Sequence, residues 1–266
     1  MIKLNDKWYD AIVKRHSVRE YSERAISSDV IKHLTDFSVE INNSVSGIRI
    51  VVVNKKSKGI FKGIIGGYGK ISDSPAYVIF IGNSDDANVE EKIGYYGEAF
   101  ILEATTLGLG TCWVSGTVNR EIVKNDVTLS EKEIIYSVTP IGYSNEKVSL
   151  GNKVIKTVLG TNKRKSLEEI TNNSINNETQ PWIRIALEAA RIAPSAINKQ
   201  PWKFKIDKDA VTISTNSVNG GGTYSARLDC GIAMLHFEIG AYHQGISGGW
   251  KYLAEPQVAI FKPSKM

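Results

Sequence analysis

Only two of the 266 residues are cysteine, Cys112 and Cys230, and only four are histidine. They share no C-x-x-C or Cys/His ligand spacing, which argues against a zinc site and a disulfide framework and fits a reducing compartment. No apolar run approaches the roughly eighteen residues of a membrane span. The opening MIKLNDKWYD has no basic segment followed by an apolar one, so a soluble cytoplasmic protein is expected. A G-x-G-x-x-G between a strand and a helix is also missing, and with it any sign of a Rossmann nicotinamide domain. His16, His33, His236 and His243 are scattered, and no Ser-His-Asp or Cys-His set converges. Charge is close to balanced, with 33 Lys and Arg against 28 Asp and Glu. A sequence pI near 9.0 raises nucleic-acid binding, but no Lys/Arg stripe with interleaved aromatics supports it, and that class ranks last.

The chain does have apolar content, at 42%, and a length that leaves one large domain, two domains or a fused repeat open. Asn5 to Lys14 reads as a short helix with Trp8, Ala11 and Ile12 on one face. Ser28-Asp29 offers an N-cap for a helix over Val30 to Val39. IRIVVV (Ile48 to Val53), AYVIFI (Ala76 to Ile81) and IIYSVTPIGY (Ile134 to Tyr143) are apolar runs of strand length. Val89 to Leu107 has helical periodicity, broken by GLGTCW. Later, Trp182 to Ile192 predicts a helix behind Pro181, WKFKI and VTISTN alternate like strands, and Cys230 to Tyr242 is helical again. The Asn/Thr/Ser-rich EITNNSINNETQ (Glu169 to Gln180) reads as a linker or long connection.

The two sets resemble one pattern used twice. A spacing of 156 relates Ile50 to Ile206 and Asn42 to Asn198, while a spacing of 137 relates Trp113 to Trp250, Gly108 to Gly245 and Gly94 to Gly231. Few identities support this repeat, and chance similarity is the competing explanation.

Two stretches carry chemistry. RHSVRE (Arg15 to Glu20) places two guanidinium groups, an imidazole and a hydroxyl in five residues. Arg offers a planar fork to phosphate oxygens, although a basic cluster at a helix end is also favoured by the helix dipole alone. ARIAPSAINKQPWKF (Ala190 to Phe204) begins at a helix end that Pro194 forbids to continue. Ser195 and Ala196 are small enough for a planar ligand to approach the backbone, and Asn198 carries both donor and acceptor for a uracil-like edge. Gln200 either does the same or satisfies the loop's own backbone, and Trp202 and Phe204 read as core. His236, near Glu238 in GIAMLHFEIG, reads as a buried structural histidine. GGYG around Tyr68 is a ligand-edge loop or a plain turn, and SVNGGGTYSARLD (Ser217 to Asp229) is a candidate lid.

RHSVREY, APSAINKQPWKF, LEATTLGLGTCWVSG (Leu102 to Gly116), PIGY (Pro140 to Tyr143) and KRKSLEEI (Lys163 to Ile170) together resemble the FMN-dependent nitroreductase family over most of the chain. The motif order departs from the ordinary member, in which APSxxNxQPW follows soon after RxSxR. Here it follows KRKSLEEI, as in a thermophile-type branch with two fused half-sized units. The resemblance implies an α+β nitroreductase-like fold, internally duplicated into a pseudo-dimer, with mixed or antiparallel sheets flanked by helices. Residues 1–168 would form the first unit and 169–266 a second, shorter one.

Family members are homodimers in which one subunit supplies RxSxR and the other the APSxxN segment to each FMN. The resemblance therefore implies one complete and one decayed site within this chain, with one FMN at the junction of the units. FSVEINNSVS (Phe37 to Ser46) is the decayed counterpart and keeps only Asn42. Arg15, Ser17 and Arg164, with Lys163 or Lys165, would hold the phosphate, and Arg19 would approach the pyrimidine end. His16 would pack and offer its backbone. Pro194, Ser195, Ala196, Asn198 and Gln200 would line the other ring edge, and the amides around Ser115 and Gly116 would face N5 and O4. Ser115 stands where the family has Glu, which removes a charge. The implied activity is ping-pong hydride transfer from NADH or NADPH to the flavin and on to a quinone-like or nitroaromatic acceptor, with no catalytic side chain. A non-catalytic flavin carrier or sensor is the alternative. A monomer is favoured, because internal pairing replaces the partner subunit.

Overall fold

The computed structural model describes residues 2–61, 70–145, 163–215 and 225–264. The GGYG segment, Gly66 to Gly69, and residues 217–224 of the candidate lid lie outside the described residues. Two compact units emerge from the packing. One comprises Lys14–Val89 and Phe100–Asn162 with the first two residues, and the other Lys3–Val13, Glu90–Ala99 and Lys163–Met266.

The first unit is built on a four-stranded antiparallel sheet of β1 (Ile48–Val53), β2 (Ala76–Asn83), β3 (Gly110–Thr111) and β4 (Glu133–Gly142), in the order β1-β2-β4-β3. The central β2 is buried along nearly its whole length, which explains its unbroken apolar run. Tyr77, Ile79, Ile81 and Val138 form its core with Val18, Tyr21 and Ile60. Helix α2 (Ser28–Ser44) precedes β1 and is capped by Ser27, whose Oγ accepts from Val30 N. The cap lies one residue before the expected Ser28-Asp29, since Ser27 is the serine with extended backbone.

The second unit contains α1 (Lys7–Lys14), with Trp8, Ala11 and Ile12 buried as its periodicity predicts, and a second four-stranded antiparallel sheet. Its strands are β5 (Trp202–Asp207), β6 (Ala210–Thr215), β7 (Gly248–Tyr252) and β8 (Gln257–Pro263), in the order β5-β6-β8-β7. Helix α6 (Pro181–Arg191) starts with Pro181 in its first turn, where the missing N–H costs nothing. Before it, the expected linker begins with a short helix instead, α5 (Leu167–Thr171), closed by a Ser166/Glu169 capping box. Helix α7 (Ala226–His243) is buried from Arg227 to Ala241, so it is apolar on nearly every face. Phe237 sits in an aromatic core with Trp182, Phe204, Trp250 and Phe261, at ring distances of 5.3–6.2 Å.

The two sheets repeat one plan. Each runs helix, two strands, long helix, two strands, and each has the same strand order. The β2–β4 pairing slips between Phe80 and Ile81, and the β6–β8 pairing slips between Ile213 and Ser214. Ile50 faces Phe80, and Phe204 faces Ile213, so the bulges match Ile50 with Phe204 rather than with Ile206. Asn42 and Asn198 do not correspond either. Asn42 lies inside α2 and bonds both backbone groups of Ile50, whereas Asn198 lies in the turn beyond α6. The longer connection over residues 192–201, in place of 45–47, is what displaces the second-copy residue.

Helix α3 (Val89–Thr106) is shared, its residues Glu90–Ala99 packing with the second unit. There it crosses α7 backbone to backbone. A Cβ on Gly94 would lie 2.0 Å from Leu228 O, and one on Gly231 would lie 2.2 Å from Glu91 O. The crossing carries two polar pairs. Arg227 bonds the nearly fully buried Glu91. His236 and Glu98 are fully buried, with His236 Nε2 3.0 Å from Glu98 Oε1 and Nδ1 3.1 Å from Ala189 O. His236 is thus the buried structural histidine expected.

Candidate functional site

The first unit supplies the Arg15–Arg19 segment. After α1 the chain becomes extended: Ser17 bridges Thr111 in parallel, and Val18 N donates to Thr111 O at 2.8 Å. Extended backbone alternates its side chains, so with Val18 in the core, Ser17 and Arg19 share the opposite face, and Arg15 lies two residues before Ser17, half-buried. His16 falls on the core side of that alternation but is exposed, its Nδ1 3.2 Å from Lys14 O. Gly110 makes the arrangement possible, because a Cβ there would meet the Val18 side chain at 2.6 Å. Tyr21 locks the far end: its hydroxyl donates to Val18 O at 2.7 Å, and burial pushes its phenol well above the usual range. Arg19 Nη1 reaches Ser17 O at 3.3 Å.

Ser115 and Gly116 follow Val114, which bridges Val138 on β4. Arg120 holds this turn, donating from Nη2 to Ser115 O at 3.0 Å and from Nε to Ile135 O at 3.1 Å. Arg120 opens α4 (Arg120–Val123), and nothing in the sequence singled it out.

The second unit supplies the turn after α6 together with residues 163–165. Pro194 is buried, while Ser195, Ala196 and Asn198 are half-buried. Asn198 spends its amide locally: Nδ2 donates to Lys163 O at 2.9 Å, and Oδ1 accepts from Arg164 Nη1 at 3.1 Å. Arg164 also donates to Ala193 O at 2.8 Å. Gln200, 3% exposed, bonds backbone groups of residues 163–165 and of its own loop. Its Oε1 accepts from Lys165 N at 2.8 Å, and its Nε2 donates to Lys163 O and Asn198 O, both at 3.1 Å. Lys165 Nζ donates to Gln200 O at 2.8 Å; burial and the neighbouring Lys203 lower its ammonium, and Glu169 opposes them. The side chains of Arg164, Lys165, Asn198 and Gln200 and the backbone of Lys163 are therefore one network. Trp202 and Phe204 are core, at 0% and 1% exposure.

Asp229, at the edge of the candidate lid, was read only as a boundary residue. It is 5% exposed, and both of its carboxylate oxygens lie 3.1 Å from Ala196 N. Burial pushes its carboxyl up to about 8, against the Ala196 N–H and Lys199, which lower it.

The donor sets fit a flavin phosphate and its polar ring edge. In the first unit Ser17 and Arg19 offer a hydroxyl and a guanidinium on one face, with Arg15 close by in sequence; in the second, residues 193–200 form a small-residue turn braced by the Asn198 and Gln200 amides. Among the described residues no group of His, Cys, Asp and Glu is arranged to hold a metal ion, and no helix is long and apolar enough to cross a membrane.

No curated protein matches the chain. Among solved structures, a "putative nitroreductase" of Thermotoga maritima is 20% identical, with a TM-score of 0.61 over 98% of this chain and 96% of that one. A nitroreductase family protein of Clostridium difficile 630 is 20% identical with a TM-score of 0.45, covering 66% of this chain and all of its own. An "FMN-dependent Nitroreductase" of Clostridium difficile R20291 is 19% identical with a TM-score of 0.41, over 51% of this chain and 87% of that one. The first of these shares the fold from end to end. The family model described as "Putative TM nitroreductase" matches residues 7–241, and the chain belongs to that family.

Proposed function

We propose that this chain is an FMN-dependent oxidoreductase of the nitroreductase type, internally duplicated and binding one FMN per chain. The observation that carries the reading is the segment Arg15–Arg19, paired to β3 at Ser17 and Val18, in which Ser17 and the Arg19 guanidinium share one face and a second guanidinium, Arg15, lies two residues before. Donor-only forks of this kind match the oxygens of a phosphate dianion. Arg15 and Ser17 hold the phosphate, aided by Arg164 and by Lys163 or Lys165. Arg19 stands toward the pyrimidine end, where a cation stabilises the charge that develops on reduction. Pro194, Ser195, Ala196 and Asn198 line the other ring edge, and the amides at Ser115 and Gly116 serve N5 and O4. When bound, the flavin supplies hydride acceptance and donation at N5. The donor is NADH or NADPH, the acceptor a quinone-like or nitroaromatic compound, and the working form a cytoplasmic monomer.

A second reading, a non-catalytic flavin carrier or sensor, draws on Ser115, which lacks the charge the family places there. Visible absorption of the protein with added FMN, then with a reduced nicotinamide under anaerobic conditions, separates the two. Bleaching of about one flavin per chain supports the oxidoreductase, and a bound flavin that stays oxidised supports the carrier. Arg15→Ala and Asn198→Ala, in different units, should each weaken FMN binding about tenfold or more, as loss of a charged or buried hydrogen-bonding group does. Unchanged affinity in either variant refutes the shared site.

A further inference from the structure

The turn Ser195–Gln200 holds backbone that its side chains disfavour. Ile197, Asn198 and Gln200 have φ of 45°, 58° and 49°, in the left-handed region where a β-branched residue such as Ile197 is an outlier. Strain of this kind persists only where the surroundings over-determine it, and it concentrates at ligand clamps. The restraints come from within the turn and from two other segments. Gln200 N donates to Ser195 Oγ at 2.9 Å, and the Asn198 and Gln200 amides tie residues 198–200 to Lys163 and Lys165. Near its start, where Asn198 N also donates to Ser195 O at 3.0 Å, the Ala196 amide is held from the first turns of α7 by Asp229, through two oxygens at 3.1 Å.

We propose that Asp229 is the positioning residue of the Pro194–Asn198 turn: by holding the Ala196 amide it keeps the strained turn closed and presents its edge to the flavin. The proposal rests on the FMN reading above for its ligand, though not for the clamp itself. Lys199 faces Asp229 from the turn and attracts it. On its own helix lie Cys230 and Arg227, the latter paired with Glu91 of α3. A carboxylate holds an N–H more strongly than a carboxylic acid does, so the clamp tightens as Asp229 ionises near pH 8.

Two measurements test this. Hydrogen exchange of the backbone over residues 193–201 in the flavin-free protein reads the clamp directly. Asp229→Ala should raise it about tenfold or more, and Asp229→Asn, which keeps an acceptor, should hold it within about threefold of wild type. Fluorescence titration with FMN reads the consequence. Asp229→Ala should weaken binding about tenfold, Asp229→Asn should restore it, and wild-type affinity should rise severalfold between about pH 7 and about pH 9 while Asp229→Asn stays flat. Exchange in Asp229→Ala equal to wild type overturns the clamp. Faster exchange with unchanged FMN affinity overturns its role in the site. If the wild type binds no FMN, the flavin reading fails, and the exchange rates alone decide the clamp.

Discussion

Replacing Gly94 by alanine tests the backbone crossing of α3 and α7. In a helix interior alanine ordinarily gains about 1 kcal/mol over glycine, so any loss reports what the new methyl meets. At Gly94 that is Leu228 O at 2.0 Å, one ångström inside the 3.0 Å that Cβ atoms essentially never cross; at Gly231 it is Glu91 O at 2.2 Å. Both obstacles are backbone and cannot rotate away, so the helices must part by about 1 Å, a gap that forfeits about a quarter to a half of each dispersion contact across it. Ile93 and Ile232, at 0% and 1% exposure, are among the side chains beside the crossing that lose packing. Because both obstacles are backbone, the cost falls at the upper end of the roughly 1–3 kcal/mol of overpacking, about 3, and the opposing helical propensity returns about 1, so each single variant should lose roughly 2 kcal/mol in equilibrium urea unfolding. The double variant should lose less than twice that, because the helices need part only once. Gly108→Ala and Gly245→Ala provide the contrast: at φ 77° and 76° with nothing within 4 Å, they should cost about 1–2 kcal/mol each and add. A Gly94→Ala variant as stable as wild type refutes the crossing.

Other consequences are equally measurable. Arg227→Leu leaves Glu91 buried without its partner and should cost about 3–5 kcal/mol in the same unfolding assay. Asn42→Ala removes the partner of both Ile50 backbone groups and should cost about 1–3 kcal/mol while leaving FMN affinity unchanged, because this asparagine braces β1. Burial holds Asp229 up at about 8 and Glu238 up at about 7, the latter despite the Tyr95 hydroxyl bonded to it. In both cases the folded chain keeps a proton that the unfolded chain releases near pH 4. Their contribution is therefore fully present below about pH 4 and is lost as pH rises to 7–8, by at most about 1.4 kcal/mol per pH unit for each group. Unfolding followed from pH 5 to pH 8 in Asp229→Asn/Glu238→Gln should show a flatter slope than wild type.

The elements legible in the sequence were those whose own residues decide them. Helix α1 announces its buried face at Trp8, Ala11 and Ile12, and β2 its double burial by an unbroken apolar run. Strands β7 and β8 were not legible: GGWKY opens on two glycines and is half-exposed, and QVAIFKP ends in proline, so neither carries a clean period of two. The Ser166/Glu169 capping box is readable in KRKSLEEI, but an expected linker starting at Glu169 cuts across the helix it caps. At the site, Pro194 revealed the helix stop, but the use of the Asn198 amide depends on Lys163 and Arg164, 34 or more residues away. Asp229 was hidden for the same reason. In sequence, an acid in the first turns of a helix looks like an ordinary partner of the helix dipole, and only the fold brings Ala196 to it.

The α3–α7 crossing also has a direction. Gly94 and Gly231 are 137 residues apart, as are Glu91 and Leu228, so the two helices meet like copies exchanging places. The polar pairs disobey that exchange. Shifted by the same 137 residues, Glu98 becomes Leu235 and His236 becomes Ala99, and each ionisable pair occurs once. Two identical helices meeting about a twofold axis would have to carry each pair twice or not at all. A single gene encoding both helices is released from that bookkeeping: it can place acid on one helix and base on the other, so that each helix tells its partner from itself.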